Sequence, residues 1–219
     1  MKMKRLLVMA VLALVFITTS AQAENKGMYF SANAGVSFLM DSDDEYPSIP
    51  GSAFETSYDP GFNIAGAIGY DYGNIRAEGE IGYHSNDVDE SSLPGIVSPA
   101  DGSVSALSFM VNGYYDVHTP NFSLVPYIGG GIGVAHVNAD FSVSGVPFSP
   151  FVDDSATVFA YQFMLGFGVK VSPTITLTGG YRYFATTEPE FNDSTGIPPT
   201  NFESEYRNHE VNFGVRVGF

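Results

Sequence analysis

Apolar and polar residues alternate at every second position in eight separate segments of this chain. In the last segment, Phe213, Val215, Val217 and Phe219 are separated by polar or glycine residues. A side-chain period of two is typical of a β-strand with one apolar and one polar face. The predicted strands cover residues 30–38, 62–70, 75–84, 107–116, 123–137, 159–171, 175–183 and 208–219. The pattern therefore predicts an all-β protein.

Seven of these segments have a clear apolar face, but the fifth, 123–137, is small or apolar on both faces. For this strand the sequence favours Ile128, Ile132 and Val134 as the residues that share the apolar face of the other strands.

The connections between the predicted strands alternate between long and short. The long ones are 41–60, 86–103, 138–156 and 186–206, and the short ones are 71–74, 116–123 and 172–174. Barrels of bacterial outer membranes have short periplasmic turns and long external loops, and their strands need about 9 to 11 residues to cross the bilayer. The sequence predicts an eight-stranded antiparallel up-and-down transmembrane β-barrel with both termini in the periplasm.

The N-terminal segment has the features of a secretory signal peptide. Lys2, Lys4 and Arg5 precede an apolar run over 6–17, and small residues close on Ala21 and Ala23. The run is shorter than the ~20 residues that a membrane-spanning helix needs. We expect a signal peptide at 1–23 and a barrel domain at 24–219.

A soluble eight-stranded barrel with its apolar face inside is the alternative interpretation. The polar face argues against it, because Gly, Ala, Ser and Asn dominate that face and its few charges are mixed in sign. Tyrosines near strand ends on the apolar face also resemble the aromatic girdle of a membrane barrel; they are Tyr70, Tyr83, Tyr115, Tyr181 and Tyr183. The sequence favours the membrane barrel.

Charge and cysteine content limit the classes of partner and the covalent chemistry that are expected for the protein. The chain has 24 Asp and Glu against 9 Lys and Arg, and no Cys. Such an acidic chain is a poor partner for nucleic acid, and it has neither disulfides nor thiol chemistry.

The final strand, ending on Phe219 behind Phe213, Val215 and Val217, resembles the C-terminal signal that the barrel-assembly machinery recognises.

Three stretches carry a family resemblance. Residues 63–85, 125–137 and 159–184 resemble the surface-antigen, or major surface protein, family of bacterial outer-membrane barrels, and more broadly the OmpX-like and OmpA-like eight-stranded domains. The resemblance implies an integral outer-membrane protein in contact with membrane lipid and lipopolysaccharide. It also implies display at the cell surface, with a possible host or cell-surface partner bound through the four long connections.

The expected role is display of four long acidic loops, in adhesion, as a surface antigen or as a structural element. Eight strands leave an interior that side chains can fill, so we expect the lumen to be largely plugged. A small porin-like channel is the alternative, because many luminal residues are Gly or Ala.

No catalytic, cofactor or metal site is predicted. His84 and Ser85 are adjacent, so their side chains point to opposite faces of a strand and cannot share a proton. His209 and Glu210 are also adjacent, so their side chains point to opposite faces of a strand and cannot share a proton either. The acidic run 41–45 lacks the glycine-centred spacing of a calcium loop.

The charged residues on the polar face predict an ion-pair network inside the barrel. A lone charge in a narrow lumen is costly, whereas a paired one is acceptable. The predicted members are Arg76, Glu78, Glu80, Arg182 and Arg216, with Glu210 nearer the mouth. Glu80 and Arg182 are expected at similar heights on opposite walls, and Arg216 is expected level with Arg76 and Glu78.

Overall fold

The computed structural model describes residues 26–44, 54–93, 96–118, 123–143, 151–192 and 201–219. None of these residues belongs to a helix able to span a bilayer. The strands in these ranges are β1 (Gly27–Leu39), β2 (Ser42–Asp44), β3 (Phe54–Tyr58), β4 (Gly61–Asp71), β5 (Ile75–Leu93), β6 (Ile96–Asp116), β7 (Leu124–Val143), β8 (Phe151–Lys170), β9 (Ile175–Thr186), β10 (Glu190–Asn192), β11 (Asn201–Glu203) and β12 (Arg207–Gly218).

Eight of the strands form a closed barrel in which every neighbouring pair is antiparallel. The wall runs β1, β4, β5, β6, β7, β8, β9, β12 and returns to β1. The ring closes along the ladder from Tyr29↔Gly218 to Leu39↔Asn208. The predicted eight-stranded up-and-down barrel is therefore confirmed.

The short strands lie at one end of this barrel. β2 pairs with β3, and β3 pairs antiparallel with the part of β5 between Val88 and Ser92. β10 pairs with β11 as a separate two-stranded sheet. We call the end that carries these short strands the long end of the barrel, and we call the opposite end the turn end. The opposite turn end holds Gly27, Phe219 and the connections 71–75 and 170–175.

The apolar face of each barrel strand points outward. Phe163 on β8 is 61% exposed and Phe213 on β12 is 68% exposed, while Gln162 beside the first and Asn212 beside the second are buried. The uncertain fifth segment follows the same rule, because Ile128 and Ile132 on β7 are also highly exposed. The sequence-based choice of face is confirmed on all eight strands.

The structure contradicts two of the four predicted long loops, because much of each belongs to a strand. Residues 86–103 continue the β5–β6 ladder as far as Leu93↔Ile96, and residues 138–156 continue the β7–β8 ladder as far as Ser142↔Phe151. Parts of 41–60 and 186–206 also form short strands. Positions 45–53, 94–95, 144–150 and 193–200 of the predicted loops lie outside the described residues.

The strands extend because the polarity of the two faces reverses along them. On β6, Leu107 and Phe109 point outward, whereas above them Ser103 and Ser105 take the outward positions and Val104 turns inward. Beyond an apolar band the outer surface becomes polar and the barrel interior becomes the apolar side. A search for apolar outward residues stops at this reversal, although the period of two continues.

Candidate functional site

The barrel interior has two regions of different chemistry. Within the apolar band it holds charged and polar side chains, which we call the luminal network. Towards the long end it holds apolar side chains, which we call the apolar cap.

The layer of the luminal network nearest the turn end is built on Asp116, the last residue of β6. Arg76 on β5 binds both carboxylate oxygens, with Nε 2.7 Å from Oδ2 and Nη2 3.0 Å from Oδ1. Arg216 on β12 approaches the same carboxylate at 3.8 Å. The Arg76 guanidinium also lies 4.3 Å from the centre of the Tyr114 ring, close enough for cation–π attraction. One carboxylate thus ties together two arginines from different strands.

Glu78 forms the next layer and accepts hydrogen bonds from neutral side chains. Tyr29 donates at 2.9 Å, Tyr114 at 2.7 Å and Asn112 at 3.2 Å. Glu78 therefore joins β1, β5 and β6 without a direct bond to an arginine.

The third layer is the ion pair between Glu80 and Arg182, which come from β5 and β9. Nη2 of Arg182 lies 2.8 Å from Oε2 of Glu80, and both side chains are buried. Gln162 donates a second hydrogen bond to Glu80 at 3.1 Å and one to Asn112 at 2.7 Å. These contacts bridge the lumen between opposite walls.

Glu210 lies directly beside Arg182 in the β9–β12 ladder, and its Oε2 is 3.8 Å from Nε of Arg182. Its other oxygen, Oε1, is 2.5 Å from Nδ1 of His84. On the far side of the imidazole, Nε2 is 3.3 Å from Oγ of Ser108. The ring stacks on Phe184 with centroids 4.6 Å apart.

Ser108, His84 and Glu210 thus have the order of a serine–histidine–carboxylate catalytic triad. None of the three side chains has any exposed surface, so a substrate carbonyl has no approach to Oγ of Ser108. The trio links β5, β6 and β12 and does not present a nucleophile. Within the described residues, no group of three or more His, Asp or Glu side chains is arranged to hold a metal ion.

The structure joins some of the predicted charged residues directly and others through residues outside the predicted network. Arg182 meets Glu80 and Glu210 directly, whereas Arg76 and Arg216 meet at Asp116 and Glu78 binds neutral groups. The sequence places His84 and Asp116 on the polar face, but it gives no indication of their partners. Those partners belong to strands distant in the chain.

The apolar cap fills the interior at the long end. Its members are Leu39, Val88, Val104, Ala106, Ala135, Val137, Ala139, Phe141, Val152, Phe184, Phe191 and Tyr206. One cavity beside the cap, lined in part by Val104, Val137, Phe141 and Tyr206, has a volume of about 10 Å³, which is at the lower limit for one water molecule. Burial raises the pKa of the Tyr206 hydroxyl well above its usual range, and the nearby charge of Glu210 adds to this effect. The hydroxyl therefore stays neutral, and the cap brings no charge to the interior.

The outer surface around the apolar cap is acidic. Asp87, Asp101, Asp140 and Asp153 all point outward from β5 to β8 and are exposed. Asp140 stands directly opposite Asp153 in the β7–β8 ladder. Like charges in this position destabilise a sheet, so fold stability does not account for the pair.

The four residues of the predicted C-terminal signal lie on the outer face of β12. Phe219 stacks on Phe30 of β1 with ring centroids 4.9 Å apart, and its backbone N–H donates to the carbonyl of Met28. Val215 and Val217 pair with Ala32 and Phe30 in the closing ladder. The terminal residue is therefore part of the barrel seam.

Known proteins share this sequence pattern and architecture. Outer membrane protein PagN of Salmonella typhimurium is 27% identical over 203 residues, which cover 83% of each chain. Major surface antigen 4 of Anaplasma marginale is 23% identical over 201 residues, covering 78% of this chain and 67% of the relative. The resemblance to surface-antigen barrels is therefore confirmed.

Comparison of structures gives the same fold. The outer membrane protein OprG from Pseudomonas aeruginosa superimposes with a TM-score of 0.57 at 13% identity, over 89% of this chain and 98% of OprG. The sequence profile of the outer membrane protein beta-barrel domain family matches residues 8–219. This chain therefore belongs to the outer membrane protein beta-barrel domain family and is an outer membrane β-barrel protein.

Proposed function

We propose that the protein is a sealed barrel that displays an acidic, strand-built projection outside the cell. The observation that carries this proposal is the reversal of face polarity at the long end, where the apolar cap fills the interior and carboxylates line the outer wall. An apolar interior without room for a water column opposes ion passage. The small porin-like channel is therefore the less favoured function.

The long end is the cell-surface end in this proposal. Support comes from the asymmetry of the barrel, because short turns lie in the periplasm and the longer hairpins lie outside in outer-membrane barrels. The outward carboxylates then face the surroundings of the cell, including Asp140 and Asp153, whose pairing costs stability. A partner with a positively charged surface, on a host or another cell, is the complement of this wall.

Cysteine labelling in intact cells tests the orientation, and because the chain has no native Cys, only the introduced position of the isolated protein can carry the label. Asn138→Cys lies on the outer face of the long end, and Asn74→Cys lies in a turn at the opposite end; both positions are exposed. We expect a membrane-impermeant maleimide to label position 138 in intact cells and position 74 only after the outer membrane is permeabilised. The reverse pattern would invert the proposed orientation.

We also propose that the assembly machinery reads the C-terminal Phe219. Deletion of Phe219 is expected to leave export intact but to reduce sharply the amount of compact, heat-modifiable barrel in the outer membrane. Phe30→Leu is the matched control, because it removes the same ring stack and keeps the terminal residue. Equal assembly defects in the two variants would assign Phe219 a packing role only.

A further inference from the structure

We propose that a pocket on the outside of the barrel, between β8, β9 and β12, binds the sugar head group of a glycolipid in the outer leaflet. The pocket has a volume of about 290 Å³. Tyr161 and Tyr183 form its aromatic walls, and Glu188, Glu205 and Arg207 supply its charged groups. The inference rests on the proposed orientation, which the cysteine labelling tests separately.

The pocket lies at the boundary of the apolar band. On β8 the outward residue changes from Thr157 to Phe159 immediately before Tyr161. The ladders place Tyr161, Ala185 and Arg207 at one height across β8, β9 and β12. Ala185 is fully buried, although it points outward, because larger neighbours rise on both sides of it. The pocket opens beside this row, at the end of the apolar band where the proposed orientation places lipid head groups.

Tyrosine rings at this level provide apolar faces with polar tips, as aromatic residues do at membrane interfaces. The rings of Tyr161 and Tyr183 lie 6.4 Å apart and are tilted by 55°. The negative face of an aromatic ring attracts weakly positive C–H groups, and one face of a sugar ring is lined by such groups. The two tyrosines can therefore pack against a saccharide.

The charges of the pocket favour hydroxyl groups over a phosphate. Arg207 forms a salt bridge with Glu205, and Glu188 adds a second carboxylate to the lining, so the three residues have a formal net charge of −1. A phosphate would add negative charge to this set. Sugar hydroxyls can instead donate to the carboxylates and accept from the guanidinium.

Arg207 is the one cation at this end of the protein within the part of the chain that the structure describes. The other described Lys and Arg residues are accounted for elsewhere: Arg76, Arg182 and Arg216 are in the luminal network, and Lys26 and Lys170 are at the turn end. The Arg207 side chain is 38% exposed. It therefore has N–H groups left for a ligand beyond its contact with Glu205.

The test uses the full mature chain refolded into phosphatidylcholine nanodiscs with increasing fractions of rough lipopolysaccharide, which carries inner-core sugars. The readout is the temperature at which the compact form is lost on gels. Ligand binding to the folded state raises this temperature, so we expect a rise with glycolipid for the wild type. Tyr161→Leu combined with Arg207→Gln is expected to need about tenfold more glycolipid for the same rise.

Two further variants keep the test independent of folding. Glu188 lies outside the strands, so Glu188→Gln leaves the barrel ladders intact. Like the double variant, it is expected to reduce the rise in temperature that the glycolipid produces. Tyr115→Leu with Lys26→Gln makes comparable changes at the turn end, where Tyr115 is exposed, and is expected to respond like the wild type. An unchanged response in the Tyr161 and Arg207 variant would overturn the site.

Two comparisons identify the ligand chemistry and its source. Discs that contain phosphatidylglycerol and no glycolipid present negative charge but no core sugars. We expect the temperature at which the compact form is lost to stay unchanged in these discs. An equal rise would overturn the assignment to sugar. Soluble core oligosaccharide at the same sugar concentration is expected to stabilise less than the membrane-bound glycolipid. Equal stabilisation by the soluble sugar would overturn the membrane source.

Discussion

Glu80→Gln is expected to destabilise the folded barrel by about 3–5 kcal/mol, the usual cost of removing one partner from a buried ion pair. The substitution keeps the shape of the side chain but leaves the buried Arg182 without its closest carboxylate, since Glu210 lies at 3.8 Å. Urea unfolding of the refolded protein in lipid vesicles, followed by the compact band on gels, measures the change. Glu190→Gln is the control, because Glu190 is exposed, and should change stability by less than about 0.5 kcal/mol.

The double variant shows whether the loss comes from this pair. Arg182→Met alone is expected to be costly, because it leaves Glu80 and Glu210 without their shared cation. When both substitutions are present, the uncompensated arginine is gone, so the total cost should be smaller than the sum of the single costs by about 1–3 kcal/mol. Strictly additive costs would show that the two residues do not interact.

Phe163→Arg has the next largest expected effect, a loss of about 2 kcal/mol, because an arginine on the lipid face costs most in the middle of the bilayer and less towards either boundary. Phe163 lies in the outward apolar run of β8, one outward position inside the boundary at Tyr161. The same unfolding measurement in vesicles applies. Val215→Arg on β12 should behave similarly, because Val215 lies in the middle of the corresponding run.

The control for this arginine must lie on the same strand and face but beyond the apolar band. Ser155→Arg meets both conditions, since Ser155 is outward and exposed on β8, and its cost should stay below about 0.5 kcal/mol. A luminal control such as Gln162 is unsuitable, because this side chain is buried and hydrogen-bonded to Glu80 and Asn112. Equal costs for Phe163→Arg and Ser155→Arg would place the bilayer elsewhere on the barrel.

The sequence is informative about faces because a period of two assigns every residue of a strand once one residue is placed. Ile128 and Ile132 could therefore be assigned to the outer face even in the ambiguous fifth strand. The order of strands was equally accessible, because alternating short and long connections are typical of an up-and-down barrel. These features depend on local pattern alone.

Comparable heights on opposite walls pointed to the pair of Glu80 and Arg182, but most partners across the lumen were not accessible in the same way. His84 and Glu210 are separated by 126 positions, and their heights in the barrel depend on the tilt and stagger of the strands. Alternation assigns both to the interior without giving that stagger. Asp116 was left out of the predicted network because, at the last position of a strand, it is also the first residue of the predicted turn 116–123.

The strand extensions were missed for a different reason. Above the apolar band, Asp87 and Asp140 occupy outward positions and Val88 and Val137 occupy inward ones. This is the pattern of a soluble barrel, and it continues a membrane pattern with the faces exchanged. Prediction based on one face therefore ended both hairpins too early.

Current recorded across a planar lipid bilayer tests most directly whether the barrel is sealed. The refolded protein is added until insertion is verified by recovery of the compact form from the membrane, and an open porin inserted in parallel controls for detection. With the luminal network and apolar cap in place, the current is predicted to stay at the level of the protein-free bilayer. Reproducible current steps of uniform size that increase in number with inserted protein would contradict a sealed barrel and favour the porin-like channel.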